Sequence, residues 1–228
     1  MKGKMKLILT AAALIITLLA ASACAKKLDA EILKNISELT VNIYTARTET
    51  AAVTLITGER ETPYKVDGIN AGRETYTVVF VKPLTNDEGD TVYEYVLRNG
   101  KNEYSGRLNA HPFGTGYTDT VEKSLDGGVS MTIICNGVSA EVTPEPNYKD
   151  GMMTWENALI KSVSELKPEL NELYTDGKLN AEVFVRFTGD PMQKEGGYFW
   201  YVAFCAGNGR TLAVLIKPET GDVVASKK

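Results

Sequence analysis

Two Asn-Gly pairs, Asn99-Gly100 and Asn136-Gly137, set what this chain can fold into. Apolar and polar side chains alternate on either side of each, over 91–97 and 103–108 around the first and over 129–135 and 138–142 around the second. Both residue types tolerate positive φ, so a type I′ turn and an antiparallel hairpin are expected at each pair. The period-two grain begins at Leu39. It continues through Val53, Leu55 and Thr57 to Gly58, and again through a β-branched and aromatic run at 76–81 that Lys82-Pro83 stops. Seven or eight short strands at this spacing predict an antiparallel β-sandwich across residues 39–143.

Thr143-Pro144-Glu145-Pro146-Asn147 interrupts the alternation. Two prolines should deny strand pairing, which places a linker at 144–151. A helix is expected next, capped by Thr154, with Trp155, Leu159, Val163, Leu166, Leu170 and Leu173 on one face. Pro168 lacks a donor and must kink that helix or open a second one. Strands are expected over 181–187, 198–205, 211–216 and 223–225, joined in part by turns at 207–209 and 219–222. Residues 152–228 therefore read as a helix laid on an antiparallel sheet, and the whole chain as α+β: a sandwich domain followed by a small helix-plus-sheet domain.

The N-terminus has a different character. Lys2, Lys4 and Lys6 precede an uncharged apolar stretch, and small residues lead to Ala21-Ser22-Ala23-Cys24. This is the layout of a secretory signal peptide, with an apolar run short of the about 20 residues that a membrane helix needs. The segment resembles the lipobox of bacterial lipoproteins, with Ala21 where that family usually has Leu. The resemblance implies cleavage after residue 23 and lipidation of Cys24, hence a chain tethered to the outer face of a membrane. Ordinary cleavage with Cys24 incidental is the alternative. Residues 24–38 would form the tether, with Leu28, Ile32, Ile36 and Leu39 at helical spacing and Asp29 as a candidate N-cap. Without residues 1–23 the chain keeps 22 basic and 29 acidic side chains, a net −7. An acidic chain has no electrostatic case for nucleic acid, and charge alone would not draw it to anionic lipid.

No set of residues forms a catalytic constellation. The single histidine, His111, lies in Asn109-Ala110-His111-Pro112-Phe113 with no nucleophile elbow anywhere in the chain. Cys135 and Cys205 stand 70 positions apart in apolar runs and read as buried free thiols in different domains. One histidine and two such cysteines do not space a zinc site. Residues 86–90, Asn-Asp-Glu-Gly-Asp, gather oxygen ligands, but Leu97 falls where an EF-hand needs its twelfth-position Glu, so a solvated turn is expected. Gly114-Thr115-Gly116 and Gly207-Asn208-Gly209 open no helix and read as turns rather than phosphate loops. A glycosidase-like carboxylate pair needs a separation of roughly 5 to 9.5 Å that spacing cannot reveal. Catalytic residues, metal ligands and cofactors are accordingly assigned to none. Tyr93, Tyr95, Tyr104 and Tyr117 either line a shallow binding face or fill half-buried sheet positions. The Tyr198-Phe199-Trp200-Tyr201 run is either a central strand or one that shows a face to a partner.

Residues 200–204, Trp-Tyr-Val-Ala-Phe, followed by 212–224, Leu-Ala-Val-Leu-Ile-Lys-Pro-Glu-Thr-Gly-Asp-Val-Val, resemble the end of a PepSY-type domain. The likeness covers about residues 152–226, with Lys217 where the family commonly has Asp. It implies a cystatin-like shape and an extracytoplasmic accessory role, restraining a peptidase or sensing the envelope, and supplies no catalytic residue. The expected function is thus a non-catalytic binding module anchored at the membrane through Cys24, with an envelope protein or peptidase as partner and an exposed apolar patch on the C-terminal sheet. Capture of wall glycan or peptide by the sandwich is the alternative from another class, and a hydrolase with dispersed carboxylates a third.

Overall fold

The computed structural model describes residues 28–63, 72–84, 91–114, 116–190 and 197–228. Cys24, the leader and the Asn86–Asp90 cluster lie outside them. The protein is mostly β, with a large mixed sheet and a few small helices.

A short helix α1 (Ala30–Lys34) opens the chain, and Asp29 caps it by accepting from Glu31 N at 3.0 Å. Strands β1 (Ile36–Arg47), β2 (Ala51–Thr62) and β3 (Gly72–Pro83) form an antiparallel meander. They are followed by β4 (Tyr93–Asn99), β5 (Asn102–Ala110), β6 (Tyr117–Val121), β7 (Val129–Cys135), β8 (Val138–Val142) and the two-residue β9 (Glu145–Pro146). Helices α2 (Trp155–Glu165) and α3 (Lys167–Asn171) come next. Thr154 caps the first, and Pro168 sits in the first turn of the second, where its missing N–H costs nothing. A small ribbon of β10 (Tyr174–Thr175) and β11 (Lys178–Leu179) leads to β12 (Ala181–Gly189), β13 (Tyr198–Ala206), β14 (Thr211–Ile216) and β15 (Val223–Lys227). The sheet runs β15-β14-β13-β12-β1-β2-β3-β6-β5-β4-β7-β8.

Two cores lie along this sheet. Tyr44, Val53, Leu55, Val79 and Val81 from β1–β3 share one core with Tyr95, Leu97, Met131 and Ile133 from β4 and β7. Those two groups of strands are not neighbours in the sheet order, so the sheet folds back on itself and the layers face each other. The second core packs Leu159, Leu166 and Leu170 of the helices against Val183, Val185, Phe187, Trp200, Phe204 and Val214.

Strand β1 belongs to both halves. Residues 36–40 pair in parallel with β12, and Ile36, Leu39 and Ile43 join the helical core, whereas Tyr44 joins the other. Irregularities at Ser37 and Val41 shift the alternation, which is how one strand serves both cores. Ile32 and Ile36, within the expected tether 24–38, are each only 2% exposed, so residues 30–38 are built into the fold. The sheet is mixed rather than purely antiparallel, because β12 joins β1 in parallel across the whole intervening chain.

The expected linker 144–151 is strapped down as well. Glu145–Pro146 pairs with Tyr44–Thr45, and Asn147 Nδ2 donates to Ile43 O at 2.9 Å. Pro146 is tolerated because β9 is a two-residue edge pairing beyond the end of β12. Asn136 and Gly137 carry φ of 48° and 83° between paired Cys135 and Val138, as a type I′ turn requires. The first hairpin turns one residue later: Asn99 pairs with Asn102, and the loop is Gly100-Lys101 with φ +60° at Gly100 alone, as in type II′. Asn99 is drawn from the loop because its amide donates to Asp126 O and Gly128 O and accepts from Asp126 N. Among the described residues no helix is long and apolar enough to cross a membrane.

Candidate functional site

Alternation along the C-terminal strands sends Val183, Val185, Trp200, Val202, Leu212 and Val214 under the helices. Phe184, Tyr201, Ala203, Cys205, Ala213 and Leu215 fall on the opposite face. Two cross-strand rows define it: Phe184, Ala203, Ala213 and Lys227, then Thr40, Arg186, Tyr201, Leu215 and Ala225. Phe184, Ala203 and Ala213 form a small cluster of their own, with Tyr201 and Cys205 against it. Among the described residues no helix packs on this side. A shallow concavity of about 570 Å³ lies over it, lined by Arg186, Tyr201, Ala213, Leu215, Ala225 and Lys227.

Its rim is held rigidly. Arg186 Nε and Nη2 both donate to Glu38 Oε2, the first at 3.0 Å, and the guanidinium lies 4.9 Å from the Phe184 ring centroid. Glu38 Oε1 accepts from the Tyr76 hydroxyl at 2.9 Å, and Thr40 Oγ1 lies 3.0 Å from the same hydroxyl. Glu38 and Arg186 are 13% and 35% exposed, so solvent screens the pair only in part. Burial raises the Tyr201 hydroxyl above its ordinary pKa, Cys205 adds to this, and Arg186 pulls the other way. The surface is an apolar floor with a cation at each end, Arg186 on β12 and Lys227 on β15. Outer strand β15 closes the sheet, with one edge unpaired among the described strands and Val224 49% exposed. Glu38 already neutralises Arg186, so such a face suits apolar side chains with a carboxylate at the Lys227 end, and an open edge suits an added strand.

The other candidates go elsewhere. Tyr93 and Tyr95 are 6% and 2% exposed and belong to the sandwich core, with Tyr104 and Tyr117 half-buried against it, so Tyr93 and Tyr95 present no binding face. Tyr95 donates to Asp119 Oδ2 at 2.8 Å. His111 packs between Phe80 and Phe113, with Phe113 N reaching its Nδ1 at 3.4 Å, as a turn residue. Cys135 and Cys205 are free thiols and half-buried rather than buried. Cys135 ends β7 beside the turn, and Cys205 lies on the uncovered face. Residues 207–209 close the β13–β14 turn, Gly209 N donating to Ala206 O. Among the described residues no three His, Cys, Asp or Glu side chains gather closely enough to hold a metal.

The sequence left the 198–201 run open between a central strand and one that shows a face, and β13 pairs with β12 and β14 on its two sides. No sequence signal marked Glu38 as meeting Arg186, which depends on a parallel pairing of distant strands. Comparison of the chain with family models, with curated proteins and with solved structures yields no match.

Proposed function

We propose that this chain is an extracytoplasmic lipoprotein, anchored through Cys24, that docks a protein partner on the uncovered face of its C-terminal sheet and performs no catalysis there. The observation that carries the reading is the concavity on that face, where half-buried Tyr201 and Leu215 flank buried Ala213 beside Arg186, in a half whose other side packs against the helices. A shallow apolar concavity with a charged rim suits a side chain of a protein partner. The short route from Cys24 to Leu28, four residue steps or at most about 14 Å, holds the protein close to the membrane. The likeness of residues 152–226 to PepSY-type domains adds an envelope peptidase as the kind of partner. Glycan capture by a tyrosine face loses support because Tyr93 and Tyr95 fill the core.

The test is retention of envelope proteins by the wild-type chain and by Tyr201→Glu/Leu215→Glu. These positions are half-buried on the outer face. A species held by the wild type and released by the variant supports the reading. A species held equally by both contradicts it.

A further inference from the structure

Where the two halves meet, a cavity of about 320 Å³ opens between β1, the β6–β7 connection and the start of α2. Its walls include Tyr44, Tyr148, Trp155 and Trp200, together with the acidic Asp126 and Glu156; among the described residues no Lys, Arg or His lines it. Pockets of this size between structural units are common sites for small ligands.

Two of its aromatic side chains have their polar atoms engaged: Trp200 Nε1 donates to Met153 O at 2.7 Å, and the Tyr148 hydroxyl donates to Met152 O at 3.3 Å. Asn42 Oδ1 accepts from Tyr148 N at 2.9 Å, which pins the Tyr148 strap against β1. The β6–β7 connection is fixed in turn, because Asn99 bonds both backbone groups of Asp126. The walls offer aromatic surface and carboxylate charge, beside the Tyr44 hydroxyl and the Trp155 indole. Among the described residues neither Asp126 nor Glu156 has a basic partner in an ion pair. Glu156 is in the first turn of α2, where the helix dipole offsets part of its charge, and Asp126 has no such neighbour.

A negative field is felt inside. Burial is the main cause of the raised Tyr44 and Tyr148 hydroxyls, and Asp126 pushes the first further while Glu156 and Asp150 push the second. Aromatic walls with unneutralised acids fit a cation far better than an anionic ligand.

We infer that this cavity binds a small organic cation, a quaternary ammonium or protonated amine group, held by its aromatic rings and by Asp126 and Glu156. The site is separate from the uncovered sheet face and does not depend on that face having a partner.

The chain contains two tryptophans, and Trp155 and Trp200 both line this cavity, so intrinsic fluorescence reports on it directly. The full chain, in a nonionic detergent free of choline, is titrated with choline chloride. Parallel titrations use its uncharged isostere 3,3-dimethyl-1-butanol, sodium chloride at matched ionic strength, and glucose. A saturable change with choline, at least about tenfold weaker with the isostere and in Asp126→Asn/Glu156→Gln, is the expected result. Trp155→Leu should abolish it, with near-ultraviolet circular dichroism checking that each variant is folded. No saturable response to choline, equal responses to choline and its isostere, or saturation by glucose instead would each overturn the inference.

Discussion

Glu38 and Arg186 stand 148 residues apart in the chain and side by side in the sheet, with Arg186 Nε donating to Glu38 Oε2 at 3.0 Å. Strands β1 and β12 run parallel there, and this pair is the polar clasp on the outer side of the seam between the halves. Partial burial puts its worth between that of a surface pair and that of a fully buried one. A double-mutant cycle of Glu38→Gln and Arg186→Met, read by urea unfolding, should give a coupling of about 1–2 kcal/mol. A coupling near zero would mean that the β1–β12 seam is held by its backbone and core alone.

Gly58 faces the irregularity in β1, and a Cβ built on it would lie 2.0 Å from the Leu39 carbonyl oxygen. The contact is with backbone on both sides, so no side chain can turn away to relieve it. Gly58→Ala should cost more than about 2 kcal/mol, measured as a fall in thermal midpoint. Gly128→Ala, at a position open to solvent, should leave the midpoint within about a degree or two.

Much of this fold was legible in the sequence, and the exceptions share a cause. Thr154, Pro168 and Asp29 act where local rules place them, since a cap or a missing N–H is decided within one turn of chain. The inward and outward residues of β12, β13 and β14 follow simple alternation. Asn99, Glu145–Pro146 and residues 30–38 departed from expectation because each is recruited by something distant in sequence: the Asp126 loop, the free half of the β1 edge, and the helical core. Arg186 and the aromatic cavity were invisible for the same reason: Arg186 meets Glu38 148 positions away, and the cavity draws its walls from four separate stretches of chain around 41–44, 125–126, 148–156 and 200. Cys24 rests on local sequence alone.

Tyr95 is buried in the sandwich core with its hydroxyl on Asp119, and burial, then the hydrogen bond and charge of Asp119, raise its pKa well above the usual value. A group whose folded pKa is raised contributes stability that is present below its unfolded pKa of about 10 and is lost as pH rises through the folded value. Stability should therefore fall with pH above about 10. Tyr95→Phe should cost about 1 kcal/mol at neutral pH, because it removes one hydrogen bond and keeps the ring. It should also make the alkaline decline shallower. A variant whose decline above pH 10 matches the wild type would remove Tyr95 from this account.

Cys24 is proposed as the acylated residue. Cells fed a radiolabelled fatty acid should incorporate label into the wild-type protein, and Cys24→Ser should lose the label and move from the membrane to the soluble extracytoplasmic fraction. Label retained by Cys24→Ser would place the lipid elsewhere.

The claim at the centre of this account is that the uncovered sheet face is the surface that meets a partner. A photoreactive residue placed at Leu215 on that face, and separately at Lys161 on the exposed side of α2, tests it in the native envelope. The account predicts one discrete crosslinked protein from position 215, abolished by adding Tyr201→Glu, and none from position 161. No crosslink from 215, or the same crosslink from both positions, would contradict it.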